Sequence, residues 1–246
     1  MKILLVAINA KYVHSNLAVY TLRSYAKKQG IDIEIAEYTI NNYEEEILAD
    51  IYKKKPDFIG FSCYIWNIEY VENISRELKK VLPLMHIWYG GPEVSFNSED
   101  YLSTHSYVDG IMIGEGEETI CELVRYYENE HIYNDRMEKL KDCDICATTD
   151  TTTKKEWDSD DKIIGTKLSD IKGIVTRGKD DIINTGMRPY MNMDDVPFVY
   201  EDLSEFENRI IYYESSRGCP YSCSYCMSSI DKRVRFRSMD LVKKEL

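Results

Sequence analysis

Five short, almost uninterrupted apolar runs punctuate the first half of this 246-residue chain, at residues 3–8, 33–38, 58–62, 87–89 and 110–113. A strand with one wet face alternates apolar and polar residues. A strand that is apolar throughout is covered on both faces, as in a parallel sheet. Between the runs lie stretches of helical period. Ala18, Leu22, Tyr25 and Ala26 share one face, Val71, Ile74, Leu78 and Val81 another, and Ile120, Leu123, Val124 and Tyr127 a third. These stripes read as core faces with no function of their own.

Short strands alternating with helices predict an α/β domain over residues 1–133: a doubly wound, Rossmann-like, five-stranded parallel sheet with the flavodoxin-like strand order. Residues 134–170 change character. Cys143 and Cys146 form a C-x-x-C, and Thr148 to Lys155 is polar and aperiodic, so a flexible insertion is expected, with a low prior for metal at the cysteine pair. Residues 171–208 hold a hairpin (173–177 and 181–185) followed by an extended linker at Asp194-Asp195-Val196-Pro197-Phe198. Residues 209–214 read as a strand. Ser238 reads as the N-cap of a helix that carries Leu241, Val242 and Leu246. A barrel of repeated strand–helix units needs roughly 200 residues. Residues 209–246 offer one strand, one loop and one helix, so the expectation is the truncated beginning of such a barrel, in a chain that is part of a longer protein.

Composition narrows the partners. Hydrophobic residues at 43% and charged residues at 30% describe an ordinary globular chain. No apolar run approaches the ~20 residues that cross a bilayer. The first nine residues have one positive charge and no small-x-small cleavage site, which favours a buried strand over a signal peptide. Seven cysteines form no even framework and point to a reducing, cytoplasmic setting. A net charge of −12 argues against a nucleic-acid backbone or anionic membrane as partner, the basic run Lys232-Arg233-Val234-Arg235-Phe236-Arg237 being the local exception.

That run adjoins the strongest chemical motif, Gly218-Cys219-Pro220-Tyr221-Ser222-Cys223-Ser224-Tyr225-Cys226. Three thiolates on one short loop suit three irons of a 4Fe–4S cluster and leave the fourth iron open for a ligand. Structural zinc usually takes four protein ligands, and nothing from Met227 to Leu246 supplies another cysteine or histidine.

A second set of unusual residues falls after the strands, where open α/β sheets bind ligands. Ser62, Cys63 and Tyr64 follow the third run, Gly90 and Gly91 the fourth, and Gly114, Glu115, Gly116 and Glu117 the fifth. Glycines admit a ligand close to the backbone, and a small hydroxyl can bond a heterocycle nitrogen. Any α/β fold also needs turn glycines, so each motif alone says little.

Taken together, the strand-end residues and the C-x-x-x-C-x-x-C loop resemble the cobalamin-binding-domain radical S-adenosylmethionine proteins over essentially the whole chain. The resemblance implies a nucleotide-tail pocket for cobalamin at Ser62, Tyr64, Gly90, Gly91, Gly114 and Glu115, and a cluster on Cys219, Cys223 and Cys226. It implies that the cluster binds and reductively cleaves S-adenosylmethionine to a 5′-deoxyadenosyl radical, with Tyr225 beside the cluster or the adenine. Methyl transfer from the corrinoid, or radical ring chemistry, would follow on an unknown small-molecule substrate, with an electron donor such as flavodoxin or ferredoxin. Substituting Gly91→Leu is expected to fill the tail pocket and leave the sheet folded. One departure stands out: the best-known cobalamin domains carry Asp-x-His-x-x-Gly after the first strand, and this chain has Asn9 to His14 without that spacing. His14 is open to two readings, a lower cobalt ligand or a solvated or capping residue, the second preferred. Lys11 is read as structural or corrin-contacting and Cys63 as a buried small hydrophobe. The alternatives are a corrinoid carrier or sensor without catalysis, and a flavin domain, which would want a phosphate-cradling loop after the first strand.

Overall fold

The computed structural model describes residues 1–141, 167–179, 181–200, 202–226 and 232–246, with side chains in the long helix described to residue 132. The Cys143/Cys146 pair and the threonine-rich stretch lie outside the described residues. The parallel strands are β1 (Ile3–Asn9), β2 (Glu34–Thr39), β3 (Phe58–Ser62), β4 (His86–Gly90) and β5 (Gly110–Met112), and they match the five apolar runs to within a residue. Between them run α1 (Leu17–Lys28), α2 (Glu44–Lys54), α3 (Ile68–Val81) and α4 (Ser98–Thr104), and α5 (Glu117–Lys141) follows β5.

Strand order is β2-β1-β3-β4-β5, all parallel, so the order reverses at β1. Alternate strand residues feed two cores. Leu4, Val6 and Ile8 face one, with Ile47, Ile51, Val71, Ile74, Leu78 and Leu102 from α2, α3 and α4. Ile3, Leu5 and Ala7 face the other, with Val19, Tyr20, Ala26, Ile120, Leu123, Val124 and Tyr127 from α1 and α5. This is the doubly wound arrangement that the continuous apolar runs require. The Val81 end of the second stripe departs from expectation: Val81, the last residue of α3, is half exposed.

Two helices carry too little apolar periodicity to be read beforehand. In α2 only Ile47 and Ile51 are buried; Glu44, Glu45 and Glu46 in its first turn and Lys53 and Lys54 in its last complement the helix dipole. Helix α4 is a bare two turns.

The hairpin does not stand apart as a separate unit. Its strands β6 (Ile174–Arg177) and β7 (Ile182–Asn184) continue the sheet antiparallel beyond β5, making seven strands. Arg177 secures the join, its guanidinium donating to the carbonyls of Leu102, His105 and Val108 at the end of α4 and after it. Helix α5 runs on to Lys141, past residue 133 where helical period fades. Asp194 and Asp195 sit in a short 3-10 turn, with extended backbone resuming only at Val196.

Residues 209–214 are not a strand. One isolated bridge joins Ile210 to His14, and the chain becomes regular only at β8 (Ser216–Arg217), which pairs with β9 (Arg235–Phe236) before α6 (Met239–Glu245). The neighbours needed for a longer strand are not there. Ser238 caps α6 as expected, its Oγ accepting from Leu241 N at 3.4 Å. Among the described residues no helix is long and apolar enough to cross a membrane.

The centre of the second core gives a stability prediction. Trp88 is fully buried and its indole N–H donates to the Tyr127 hydroxyl at 3.0 Å. Gly110 leaves room for the ring: a Cβ there would stand 2.5 Å from Trp88 Cη2. Tyr127→Phe should strand the indole donor in an apolar core at a cost of about 1–3 kcal/mol. Urea unfolding should record it, and an unchanged midpoint would refute it.

Candidate functional site

The α1/α5 face of the sheet loses its bulk towards the carboxyl ends of the strands. In register across that face lie Leu5, Gly60 and Trp88, then Ala7, Ser62, Gly90 and Met112. Gly60, Ser62 and Gly90 present almost no side chain, whereas Phe58 and Trp88, nearer the amino ends of β3 and β4, fill the same face. The result is a cavity of about 440 Å³ between sheet and helices, within the usual range of ligand pockets. Its lining draws on the carboxyl-end residues of β3, β4 and β5, beside β1 where strand order reverses, which is where such sheets bind ligands. Its wall includes Ser62, Tyr64, Gly90, Gly91, Gly114 and Glu115. All six strand-end residues singled out in the sequence therefore converge on one space.

Local geometry explains the residue types. Gly91 has φ +112°, and a Cβ there would stand 2.5 Å from the Cys63 carbonyl oxygen and 3.0 Å from its nitrogen. Glycine is obligatory at this position, because the β4 turn presses on the β3 turn. Gly91→Leu should therefore disturb the fold itself, contrary to the expectation that the sheet survives it. Gly90 differs: a Cβ there meets Met112 Cε at 3.6 Å, an ordinary contact on the cavity wall. Ser62 Oγ accepts from Asn16 Nδ2 at 3.1 Å, so its own proton remains to be given to a ligand acceptor. Asn67, buried at the start of α3, bonds Ile8 O, Ser62 O and Tyr64 N, fixing the β3 turn. Tyr64 stacks on Trp66 with ring centroids 4.5 Å apart, and burial raises its phenol pKa. Cys63 is fully buried and burial pushes its thiol up, an inert packing residue as read from the sequence.

His14 is not among the residues lining the cavity. Its Nδ1 meets the Tyr212 hydroxyl at 2.5 Å, and its turn is bridged to Ile210. Its contacts are with Tyr212 and Ile210, and the N-cap of α1 is Asn16. Lys11 likewise lies outside the lining.

Gly116 and Glu117, from the same turn as Glu115, also line the cavity, as do Gly60, Glu214 and Arg217, which were not singled out. A glycine inside an apolar strand signals close approach of something to the sheet, so Gly60 carried a legible cue. Arg217 carried none, since two of its three partners, Glu115 and Glu117, lie about a hundred residues away. Its guanidinium pairs with Glu115 at 3.1 Å, Glu117 at 2.6 Å and Glu214 at 2.9 Å. Burial alone would raise the Glu115 carboxyl, but bonds from Arg235, Met191 N and Arg217 outweigh it and hold the pKa below the ordinary value.

The residues present fit a corrinoid's nucleotide tail: a glycine-walled, largely apolar slot with one small hydroxyl on its side. The cysteine loop fits its expected group only in the chemistry of its donors. Cys219, Cys223 and Cys226 are half buried, and Cys226 N donates to Cys223 O at 3.1 Å. Among the described residues no three His, Cys, Asp or Glu side chains are gathered as a metal site. Tyr225 stands 89% exposed, away from the cavity.

Fold and cavity define a B12-binding α/β domain, and the family described as B12 binding domain matches residues 3–124. Beyond that domain, the chain is similar to cobalamin-dependent radical S-adenosylmethionine proteins. It is 25% identical over 210 residues to 2-(S-pantetheinyl)-carbapenam-3-carboxylate methyltransferase of Streptantibioticus cattleyicolor, a match covering 83% of this chain and 27% of that protein. It is 24% identical over 172 residues to the cobalamin-dependent radical SAM methyltransferase TokK of Streptomyces tokunonensis, covering 70% of this chain and 22% of that one. The structure of the cobalamin-dependent S-adenosylmethionine radical enzyme OxsB with aqua-cobalamin and S-adenosylmethionine bound shares the fold, with TM-score 0.69 at 20% identity. That match covers 99% of this chain and 31% of OxsB. The chain thus spans well under half the length of the relatives it matches.

Proposed function

We propose that this chain supplies the corrinoid site and the cluster-bearing loop of a cobalamin-dependent radical S-adenosylmethionine methyltransferase. The observation that carries the reading is the convergence of Ser62, Tyr64, Gly90, Gly91, Gly114 and Glu115 on one cavity of about 440 Å³ in a B12-binding domain. Relatives whose names describe cobalamin-dependent and radical methyltransferases support the reaction class.

In this reading the apolar wall formed by Leu5, Leu17, Val19, Leu22 and Met112 takes the heterocycle of the nucleotide tail and excludes water from it. Ser62 donates its hydroxyl proton to a ring nitrogen, with Asn16 holding the oxygen in place. Cys219, Cys223 and Cys226 would hold a 4Fe–4S cluster whose fourth iron is left for S-adenosylmethionine. When bound, these groups would supply a radical that abstracts a hydrogen atom from the substrate, and the corrinoid would supply the methyl group. In this reading Tyr225, next to Cys226 in the loop, would pack beside the cluster or the adenine of S-adenosylmethionine. The substrate is a small molecule, and the electron donor a reduced flavodoxin or ferredoxin in a reducing compartment.

Anaerobic reconstitution of the full-length protein with iron and sulfide tests this. Replacing Cys219, Cys223 and Cys226 together with alanine should remove the iron–sulfur absorption and the reductive cleavage of S-adenosylmethionine, and corrin binding should persist. Iron and sulfide content unchanged by the triple substitution would sink the cluster assignment. Corrin bands without any iron–sulfur absorption in the parent would favour a carrier.

A further inference from the structure

The cysteine loop and the corrinoid cavity share one side chain. Arg217 lies in β8, immediately before Gly218 and Cys219, and its guanidinium forms part of the cavity wall. It reaches across to the β5–α5 turn, where Glu115 and Glu117 receive it, Glu117 being the first residue of α5. The opposite end of the loop is held from the same place. Arg235, paired with Arg217 across β8 and β9, donates to Glu115 at 2.6 Å and to Met191 O at 2.9 Å, and lies over the Tyr190 ring. Both strands that frame the loop thus converge on Glu115, which also accepts from Met191 N at 2.8 Å. Few of these groups are exposed: side-chain accessibility is 16% for Arg217, 11% for Glu115 and 5% for Glu117.

We propose that Arg217 is a positioning residue that couples occupancy of the corrinoid cavity to the order of the cysteine loop. The inference rests on the corrinoid reading above. An occupant packed against the guanidinium restricts it, and a fork held by three carboxylates has few other arrangements. Restricting Arg217 restricts the backbone that carries Cys219. By reciprocity, ordering the loop also favours the occupied cavity.

Site-resolved alkylation of the metal-free chain, reduced and anaerobic, tests this without requiring activity. Cyanocobalamin is the probe, because its capped cobalt does not take a thiolate readily. Saturating it should slow iodoacetamide labelling of Cys219, Cys223 and Cys226 by about fivefold or more, the lower end of ordinary coupling between sites. Arg217→Met should bind cyanocobalamin more weakly, as reciprocity requires, and at concentrations that saturate it should keep its far-ultraviolet dichroism yet lose that protection. Arg23→Met removes an ion pair to Glu205 that lies outside the cavity and should keep the protection. Binding without protection in the parent would overturn the proposal alone, as would full protection in Arg217→Met or its loss in Arg23→Met. A parent chain that does not bind cyanocobalamin would overturn the corrinoid reading, and the proposal with it.

Discussion

Gly90→Leu should weaken cobalamin binding by about 100-fold or more, equivalent to roughly 2.8 kcal/mol, while leaving the sheet intact. The Cβ of residue 90 has ordinary clearance from Met112, so the backbone tolerates a side chain, and the added atoms must occupy the slot between sheet and helices. Its neighbour should behave in the opposite way. At Gly91 the backbone is left-handed and a Cβ would overlap the Cys63 carbonyl, so Gly91→Leu should lower stability before any question of binding arises. Absorbance titration with cobalamin, paired with dichroism and urea unfolding, separates the two. A folded Gly90→Leu that binds like the parent would move the pocket elsewhere.

Arg209→Met should cost roughly 3 kcal/mol or more, because it strands a buried carboxylate. Glu37 projects from β2 into a nearly closed site, where it accepts from Asn9 Nδ2 and Asn16 N, each at 3.0 Å, and from the Tyr20 hydroxyl at 2.6 Å. Arg209 supplies the compensating charge, and its guanidinium also lies 5.0 Å from the Tyr12 ring centroid. Burial, and then the bond to Glu37, raise the Tyr20 phenol far above its usual range, so the hydroxyl stays a donor at any physiological pH. The same arginine docks the segment that leads to the cysteine loop, next to the Ile210 N to Val13 O bond at 2.6 Å. A loss of this size in a chain this long corresponds to a fall in Tm of roughly 6–12 °C. Arg23→Met, which breaks a more exposed pair with Glu205, should cost no more than about 1 kcal/mol. Equal effects from the two substitutions would refute the buried-charge account.

The central sheet was legible because burial on both faces leaves no polar alternation, and residues 58–62 announce a strand from composition alone. The corrinoid slot was legible at its rim, where Gly90-Gly91 and Gly114-Glu115 mark turns, and less so at its floor, where Gly60 hides inside an apolar run. The docking of the last segment was not legible. Residues 209–214 are apolar enough to be a strand, but strand formation needs a partner edge, and among the described residues Ile210 is bridged to His14 alone. Residues 232–237 read as a local basic run in an acidic chain, yet Arg235 and Arg237 are interior clamps. Arg237 holds Met193 O, Val196 O and Glu245, contacts between residues far apart in the chain that local charge patterning cannot anticipate. The cysteine spacing declared a donor set, since ligand type is local. The geometry of those ligands is not local, because it depends on what they bind.

The account's central claim is that the slot between the sheet and α1 and α5 seats the nucleotide tail of the corrinoid. Comparing cobalamin with cobinamide, which has the same ring but no nucleotide tail, tests it most directly. Equilibrium dialysis should show cobinamide binding this chain about 100-fold more weakly than cobalamin, a difference of roughly 2.8 kcal/mol, and Gly90→Leu should abolish most of that difference. Equal affinity for the two corrinoids would mean that the tail is not held in the slot, and would contradict the assignment.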